Sequence, residues 1–123
     1  MPIPWTSAQR QTVTSVLCKY PPKSGWCVEA TREILPVARE HDVKAGAVRI
    51  EPAGRARFVS PKVPLDGEFW FFHVTAEAVA HYVDVLTGCD GTSVDAYFKA
   101  HWQVEERDAY RVFSVDLEEN GCP

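Results

Sequence analysis

The stretch Gly25-Trp26-Cys27-Val28-Glu29-Ala30-Thr31 organises the chain, because it places a cysteine where a turn becomes a helix. A helix start exposes unpaired backbone N–H groups and the positive end of the helix dipole, and both favour a thiolate over a thiol. A thiolate at such a point is a nucleophile with an anion-binding pocket beside it. Cys27 is therefore a candidate nucleophile. The alternative is that it is a small buried apolar residue, as most free cysteines are.

The composition predicts a single domain over residues 1–123, since 46% apolar and 11% aromatic residues suffice for a compact core without metals or disulfides. A net charge of −4, from 17 acidic and 13 basic residues, argues against nucleic-acid and anionic-membrane partners. No apolar run approaches the roughly 20 residues that span a bilayer, and the first residues do not resemble a signal peptide. We expect a cytoplasmic protein, or one delivered into a target cell by a route that the chain does not encode.

The cysteines form no C-x-x-C pair, which excludes a zinc ribbon and a thioredoxin-type motif, while disulfides are allowed but not required. They are Cys18, Cys27, Cys89 and Cys122. A zinc site built from His73, His81 and Cys89 would need the two histidines to converge from opposite faces of a sheet. The sequence therefore predicts neither a metal nor another cofactor.

The first half of the chain predicts two helices and a strand. Residues 6–19 form the first helix, in which Thr6 and Gln9 have capping-box spacing. The second covers 27–35 with Ser24 as a plausible cap, and Pro36 should kink or end it. Residues 46–51 alternate apolar and charged side chains, which is typical of a half-buried strand.

The second half predicts mostly strands. Residues 52–67 carry repeated proline and glycine, which indicates a long irregular connection that could form one wall of a cleft. Residues 68–76 and 81–86 read as an antiparallel pair, and 93–102 as a helix capped by Thr92-Ser93. Residues 109–117 make a closing strand. We expect an α+β fold in which the Cys27 helix lies across an antiparallel sheet of about four strands.

The predicted hairpin brings a histidine and an acid together. If its turn centres on Ala78 and Val79, His73 lies directly opposite Asp84, and the apolar side chains segregate to the other face. A histidine held by a carboxylate has a fixed tautomer and presents its other nitrogen outward. Cys27, His73 and Asp84 then supply a nucleophile, a base and an orienting acid. The alternative is an ordinary strand histidine beside a surface acid.

Neighbouring residues offer alternatives to these roles. His81, opposite Ala76 in this register, could replace His73 as the base, although an edge position favours a surface role. Asp95 suits the first turn of the predicted helix and is read as structural. Trp26 could wall the cleft beside the nucleophile and is a candidate substrate-binding residue. The aromatic residues of the last predicted helix are read as core rather than as a substrate stack: Tyr97, Phe98 and Trp102.

The order and setting of these residues resemble the papain-like cysteine hydrolases, and in particular the small papain-fold toxin domains of bacterial polymorphic toxins, the group called papain fold toxin 2. The resemblance rests on the Cys27 helix, on His73-Val74, on Tyr82-Val83-Asp84, on Gly88 or Gly91, and on Asp95-Ala96-Tyr97. It covers about residues 25–102. The oxyanion glutamine of papain-type enzymes is missing before the cysteine, where the chain reads Tyr20-Pro21-Pro22.

The resemblance implies a papain-like core, a toxin or effector role, a protein substrate and a cognate immunity protein as a partner. It implies Cys27 as nucleophile, His73 as base and Asp84 as orienting acid. The predicted reaction is attack on an amide, with deamidation of glutamine preferred over peptide cleavage because a small domain leaves little room to hold an extended chain. A transglutaminase-like acyltransferase would use the same triad. The rival from another class is a non-catalytic protein-binding module of the interaction or immunity type.

Overall fold

The computed structural model describes residues 3–21, 26–53, 57–62, 70–103 and 110–117. Within them lie three helices and one five-stranded sheet. The helices are α1 (Ser7–Lys19), α2 (Trp26–Ala38) and α3 (Tyr97–His101). The strands are β1 (Gly46–Pro52), β2 (His73–Ala78), β3 (His81–Val83), β4 (Thr92–Ser93) and β5 (Tyr110–Val115). The strand order is β4-β3-β2-β1-β5, and every neighbouring pair is antiparallel. The predicted α+β class is confirmed.

Both long helices begin and end close to the predicted limits. The capping box of α1 is present, because the Thr6 side chain accepts from the Gln9 backbone and the Gln9 side chain accepts from the Thr6 backbone. Helix α2 passes through Pro36 and ends at Ala38, three residues beyond the predicted end at residue 35. Pro36 lies in the last turn, where losing one backbone donor costs less than it would in mid-helix. Ser24, the expected cap, lies outside the described residues.

The predicted hairpin exists, but its register is shifted. Ala76 pairs with Val83 and Ala78 with His81, so the turn centres on Val79 and Ala80 rather than on Ala78 and Val79. Both turn residues have positive φ, 52° and 58°, as a tight two-residue hairpin requires. Asp42 on the α2–β1 connection accepts a hydrogen bond of 2.9 Å from the Val79 backbone N–H. The expected direct opposition of His73 and Asp84 is therefore wrong.

The shift nevertheless preserves the faces of the strands. Moving the turn centre by one residue moves the register by two, and side chains alternate with a period of two. His73 and Asp84 therefore stay on one face as diagonal neighbours, within reach of long side chains. His81, expected opposite Ala76, lies opposite Ala78 instead.

Within the described residues, the strand expected over 68–76 begins at His73, and Trp70 forms an isolated bridge with Val59 instead. Part of the expected long loop is thus paired with the site region. Residues 63–69 lie outside the described part. The helix expected over 93–102 begins only at Tyr97, because Thr92-Ser93 forms strand β4 rather than a cap. Asp95 lies exposed in the turn before α3.

The sheet separates two cores. One lies under α1 and α2 and is built mainly from valine, alanine, leucine and isoleucine. The other lies on the opposite face with α3 and is mainly aromatic, containing Trp70, Tyr82, Tyr97, Phe98, Trp102 and Tyr110. Within the described ranges, no helix is long and apolar enough to cross a bilayer.

Candidate functional site

The candidate site lies at one end of the sheet, where the two cores meet. His73 is the first residue of β2, and Asp84 directly follows the last residue of β3. Helix α2 packs on the other face of β2. The Thr31 hydroxyl donates a hydrogen bond of 3.3 Å to the Val74 carbonyl and anchors the helix there. Its first turn brings Cys27 over the end of the sheet. A narrow pocket, with room for roughly one water molecule, is lined by Tyr20, Pro21, Cys27, Ala30, Trp70, His73, Asp84 and Val85.

The buried pair His73 and Asp84 forms the floor of this pocket. Their side chains are 1% and 4% exposed, and His73 Nε2 lies 3.0 Å from Asp84 Oδ2. Because an ionised carboxylate can only accept, Nε2 must carry the proton and donate it to Asp84. The neutral imidazole is then the Nε2–H tautomer, which leaves the lone pair on Nδ1.

The carboxylate of Asp84 is held by donors on both oxygens. Oδ1 accepts from the backbone N–H groups of Leu86 and Thr87, at 2.9 and 3.2 Å. Oδ2 accepts from His73 and, at 2.6 Å, from the hydroxyl of Tyr97. Burial alone would raise the pKa of Asp84, but the bond and charge of His73, followed by the bond from Tyr97, lower it below its ordinary value. Asp84 is therefore an ionised carboxylate in a buried position.

The imidazole of His73 is covered by two indoles. The ring of Trp70 stacks on it with centroids 5.0 Å apart and planes 2° from parallel. Trp102 meets it edge-on at 5.5 Å. These rings exclude water from the His73–Asp84 bond and present an aromatic face to a cation.

Cys27 lines the same pocket as His73 and contributes to its pKa. Burial lowers the pKa of His73, but its hydrogen bond to Asp84, followed by the nearness of the Cys27 sulfur, outweighs burial and raises that pKa to about 9. Nδ1 of His73 is buried and has no hydrogen-bond partner within the described residues. A buried imidazole nitrogen without a partner is costly unless it has a use. The arrangement leaves Nδ1 as the atom that can exchange a proton with the thiol or with a ligand beside it.

Trp26, the other expected site residue, begins α2 and is 39% exposed. It is not part of the pocket lining, but its ring packs edge-on against Tyr20, which is, with centroids 6.2 Å apart. Tyr20 in turn donates its hydroxyl to Glu33 of α2. Trp26 and Glu33 therefore hold Tyr20 in place at the outer wall of the pocket.

The other candidate residues lie apart from the pocket. His81 is at the hairpin end, its Nδ1 2.7 Å from the Val79 carbonyl. The thiol of Cys89 accepts from Arg10 at 3.2 Å, and Cys18 is exposed on α1. Cys122 lies outside the described residues. In the described part of the chain, no three His, Cys, Asp or Glu side chains are grouped so that they could hold a metal ion.

Sequence reasoning missed three contacts of the pair, which come from Tyr97, Trp70 and Trp102. All three were assigned to strands or core, and no local pattern distinguishes a buried aromatic residue that covers a histidine from one that only fills space. The motif Asp95-Ala96-Tyr97 contains the relevant residue, Tyr97, but the sequence predicts only a core role for it.

A scan of protein-family models finds none that matches this chain, and searches of curated proteins and of solved structures find no significant match either.

Proposed function

We propose that this protein is a thiol-dependent amide hydrolase with a papain-like core, acting as a toxin or effector that deamidates glutamine in a protein target. One observation carries the proposal. The buried imidazole of His73 is tied to Asp84 through Nε2, while its unpartnered Nδ1 shares a pocket with Cys27. A structural histidine would satisfy both nitrogens, whereas a base needs one of them free.

In the proposed reaction, the proton of the Cys27 thiol already lies on Nδ1, as the raised pKa of His73 favours, and the resulting thiolate attacks the side-chain carbonyl carbon of glutamine. The carbonyl oxygen becomes an oxyanion, for which the Cys27 backbone N–H is available because the first N–H groups of a helix have no intrahelical partner. The C–N bond then breaks, and Nδ1–H protonates the departing nitrogen to give ammonia. A thioester between Cys27 and the substrate remains.

Water completes the cycle. Nδ1 accepts a proton from water as its oxygen attacks the thioester carbon, and the C–S bond breaks. The proton stays on Nδ1 beside the released thiolate, and the product is a glutamate side chain. Asp84 keeps the imidazole in one orientation and stabilises its charged form throughout, without becoming protonated itself.

The size of the pocket supports a side-chain amide over a backbone amide. The space beside Cys27 holds roughly one water molecule, and Tyr20, Trp70 and Val85 border it. Ammonia is close to water in size, so this space admits it as a leaving group, whereas a leaving peptide is too large for it. This supports deamidation over peptide cleavage.

The test is to incubate the protein with a mixture of folded proteins and with glutamine-containing peptides, and to follow ammonia and intact mass. Deamidation gives ammonia and a mass gain of about one dalton per site, by hydrolysis of the acyl-enzyme. A Cys27→Ala protein should give neither. Fragments without ammonia would replace this proposal with a peptidase, and incorporation of an added primary amine would replace it with an acyltransferase. Absence of all three, with Cys27 no more reactive than the other thiols, would favour a binding module.

A further inference from the structure

We infer that Tyr97 is a positioning residue of this site, which fixes the orientation and charge of Asp84 and thereby the orientation of His73. The inference deepens the proposed function and rests on it for its catalytic meaning. It extends the site from the pocket to α3, the element that lies on the aromatic side of the sheet.

The geometry gives Tyr97 a specific target. Its hydroxyl donates to Oδ2 of Asp84 at 2.6 Å, and that same oxygen accepts from His73 Nε2 at 3.0 Å. The backbone donors of Leu86 and Thr87 bond Oδ1, whereas the Tyr97 hydroxyl bonds the same oxygen as His73. Without this hydroxyl, Oδ2 would lose one of its hydrogen-bond donors, and the carboxylate would be held less firmly against the imidazole.

The surroundings of Tyr97 also keep its hydroxyl protonated, so that it remains a hydrogen-bond donor. Its side chain is fully buried, and its ring packs edge-on against Tyr82 with centroids 4.7 Å apart. Burial and then the charge of Asp84 raise the pKa of the phenol well above its usual value. The hydroxyl therefore stays protonated, and it stabilises the ionised form of Asp84 more than the protonated form.

Tyr97→Phe isolates this contact, and Tyr110→Phe is the matched control. Tyr110 belongs to the same aromatic cluster, is buried, and accepts a hydrogen bond at 3.2 Å from the Ser60 backbone, so its hydroxyl is bonded but does not touch Asp84. Both variants lose one hydrogen-bonded hydroxyl and keep the ring.

The first readout is the rate at which iodoacetamide alkylates Cys27, divided by the rate for exposed Cys18 in the same sample. We expect this ratio to fall about tenfold in Tyr97→Phe, the size of one hydrogen bond to a charged group, and to change less than twofold in Tyr110→Phe. The second readout is the carboxyl carbon resonance of Asp84 by NMR. Asp84 should take up a proton at higher pH in Tyr97→Phe than in the wild-type protein or in Tyr110→Phe.

Equal behaviour of the two variants in both readouts would overturn the inference. A third variant, His73→Gln, separates it from the proposed function. If His73→Gln leaves the alkylation ratio unchanged, the proposed function fails, while the Asp84 resonance still decides the role of Tyr97. Should Tyr97→Phe not fold, the wild-type protein provides the test: the Tyr97 hydroxyl proton and the His73 Nε2 proton point at one oxygen and must show a mutual NOE, and its absence would refute the shared contact.

Discussion

The two faces of the sheet bury different kinds of side chain. Under α1 and α2 the sheet contributes Val74, Ala76, Ala78 and Val83 to an aliphatic core. The opposite face buries His73 and Asp84 among aromatic rings. Aliphatic burial stabilises by removing apolar area from water and is indifferent to pH. A buried charged pair is stable only while both members are charged and bonded, so its contribution depends on pH and on each partner.

The largest effect should follow from breaking the pair. We expect Asp84→Asn to slow Cys27-dependent ammonia release by about 10²–10⁴-fold, by analogy with serine triads, because an amide can present its N–H₂ to the imidazole and favour the wrong tautomer. The matched control is Asp95→Asn, which changes an exposed acid in the turn before α3. If Asp95→Asn causes the loss and Asp84→Asn does not, the assignment of the orienting acid is wrong.

On the aliphatic face, Ile34→Ala should cost about 2–5 kcal/mol of unfolding free energy. Ile34 is fully buried in the middle of α2, where truncation leaves a cavity. The loss should be the same at pH 5 and pH 8, as measured by urea unfolding. A loss that depends on pH would mean that the two cores are coupled.

The wild-type protein should itself show the pH dependence of the aromatic face. Folding raises the pKa of His73 from 6.5 to about 9 and lowers that of Asp84 from 3.8. Between about pH 4 and 6.5 both groups are charged in the folded and unfolded chain, so the pair contributes fully. Above that window the unfolded histidine loses its proton while the folded one keeps it, and the contribution is lost as pH rises through about 9. Below it the unfolded aspartate takes up a proton, and the contribution is again lost.

Urea unfolding across this range checks that dependence. The free energy of unfolding should fall by about 3 kcal/mol from pH 6 to pH 9.5. In a His73→Gln protein the same interval should be nearly flat, because the titrating group has been removed. An equally steep fall in both proteins would assign the pH dependence to other groups.

The smallest effect is expected in the turn between β2 and β3, which sets the register of these two strands. Val79 and Ala80 both have positive φ, a conformation that strains side chains with a Cβ and suits asparagine and glycine. We expect the double change Val79→Asn with Ala80→Gly to stabilise by about 1 kcal/mol. Val43→Asn serves as the control, since this valine is 88% exposed outside the turn. Destabilisation by the double change would contradict the observed turn.

The sequence predicted the parts of this structure that depend on local pattern. The capping box of α1, the Cys27 helix and strand β1 all follow from residues close in the chain. The pairing of His73 with Asp84 was predicted for a partly wrong reason, because the register was off by two residues while the face was right.

Three features that the sequence did not predict depend on contacts between residues far apart in the chain. Val79-Ala80 carries no turn residue, and the turn is held by Asp42 from another connection. The helix expected from residue 93 starts later because Thr92-Ser93 pairs with the edge of the sheet at β3. Local sequence does not reveal this long-range pairing. Tyr97 reaches Asp84 only because α3 packs on the aromatic face.

The central claim is that Cys27 and His73 work as a pair, and the most direct test is the alkylation rate of each thiol by iodoacetamide at neutral pH. Accessibility alone predicts that exposed Cys18 reacts fastest, since Cys27 and Cys89 are half-buried. The proposed pairing predicts instead that Cys27 reacts fastest, and that His73→Gln removes most of its advantage while Cys18 and Cys89 keep their rates. A Cys27 that reacts more slowly than Cys18, and is unaffected by His73→Gln, would contradict the account.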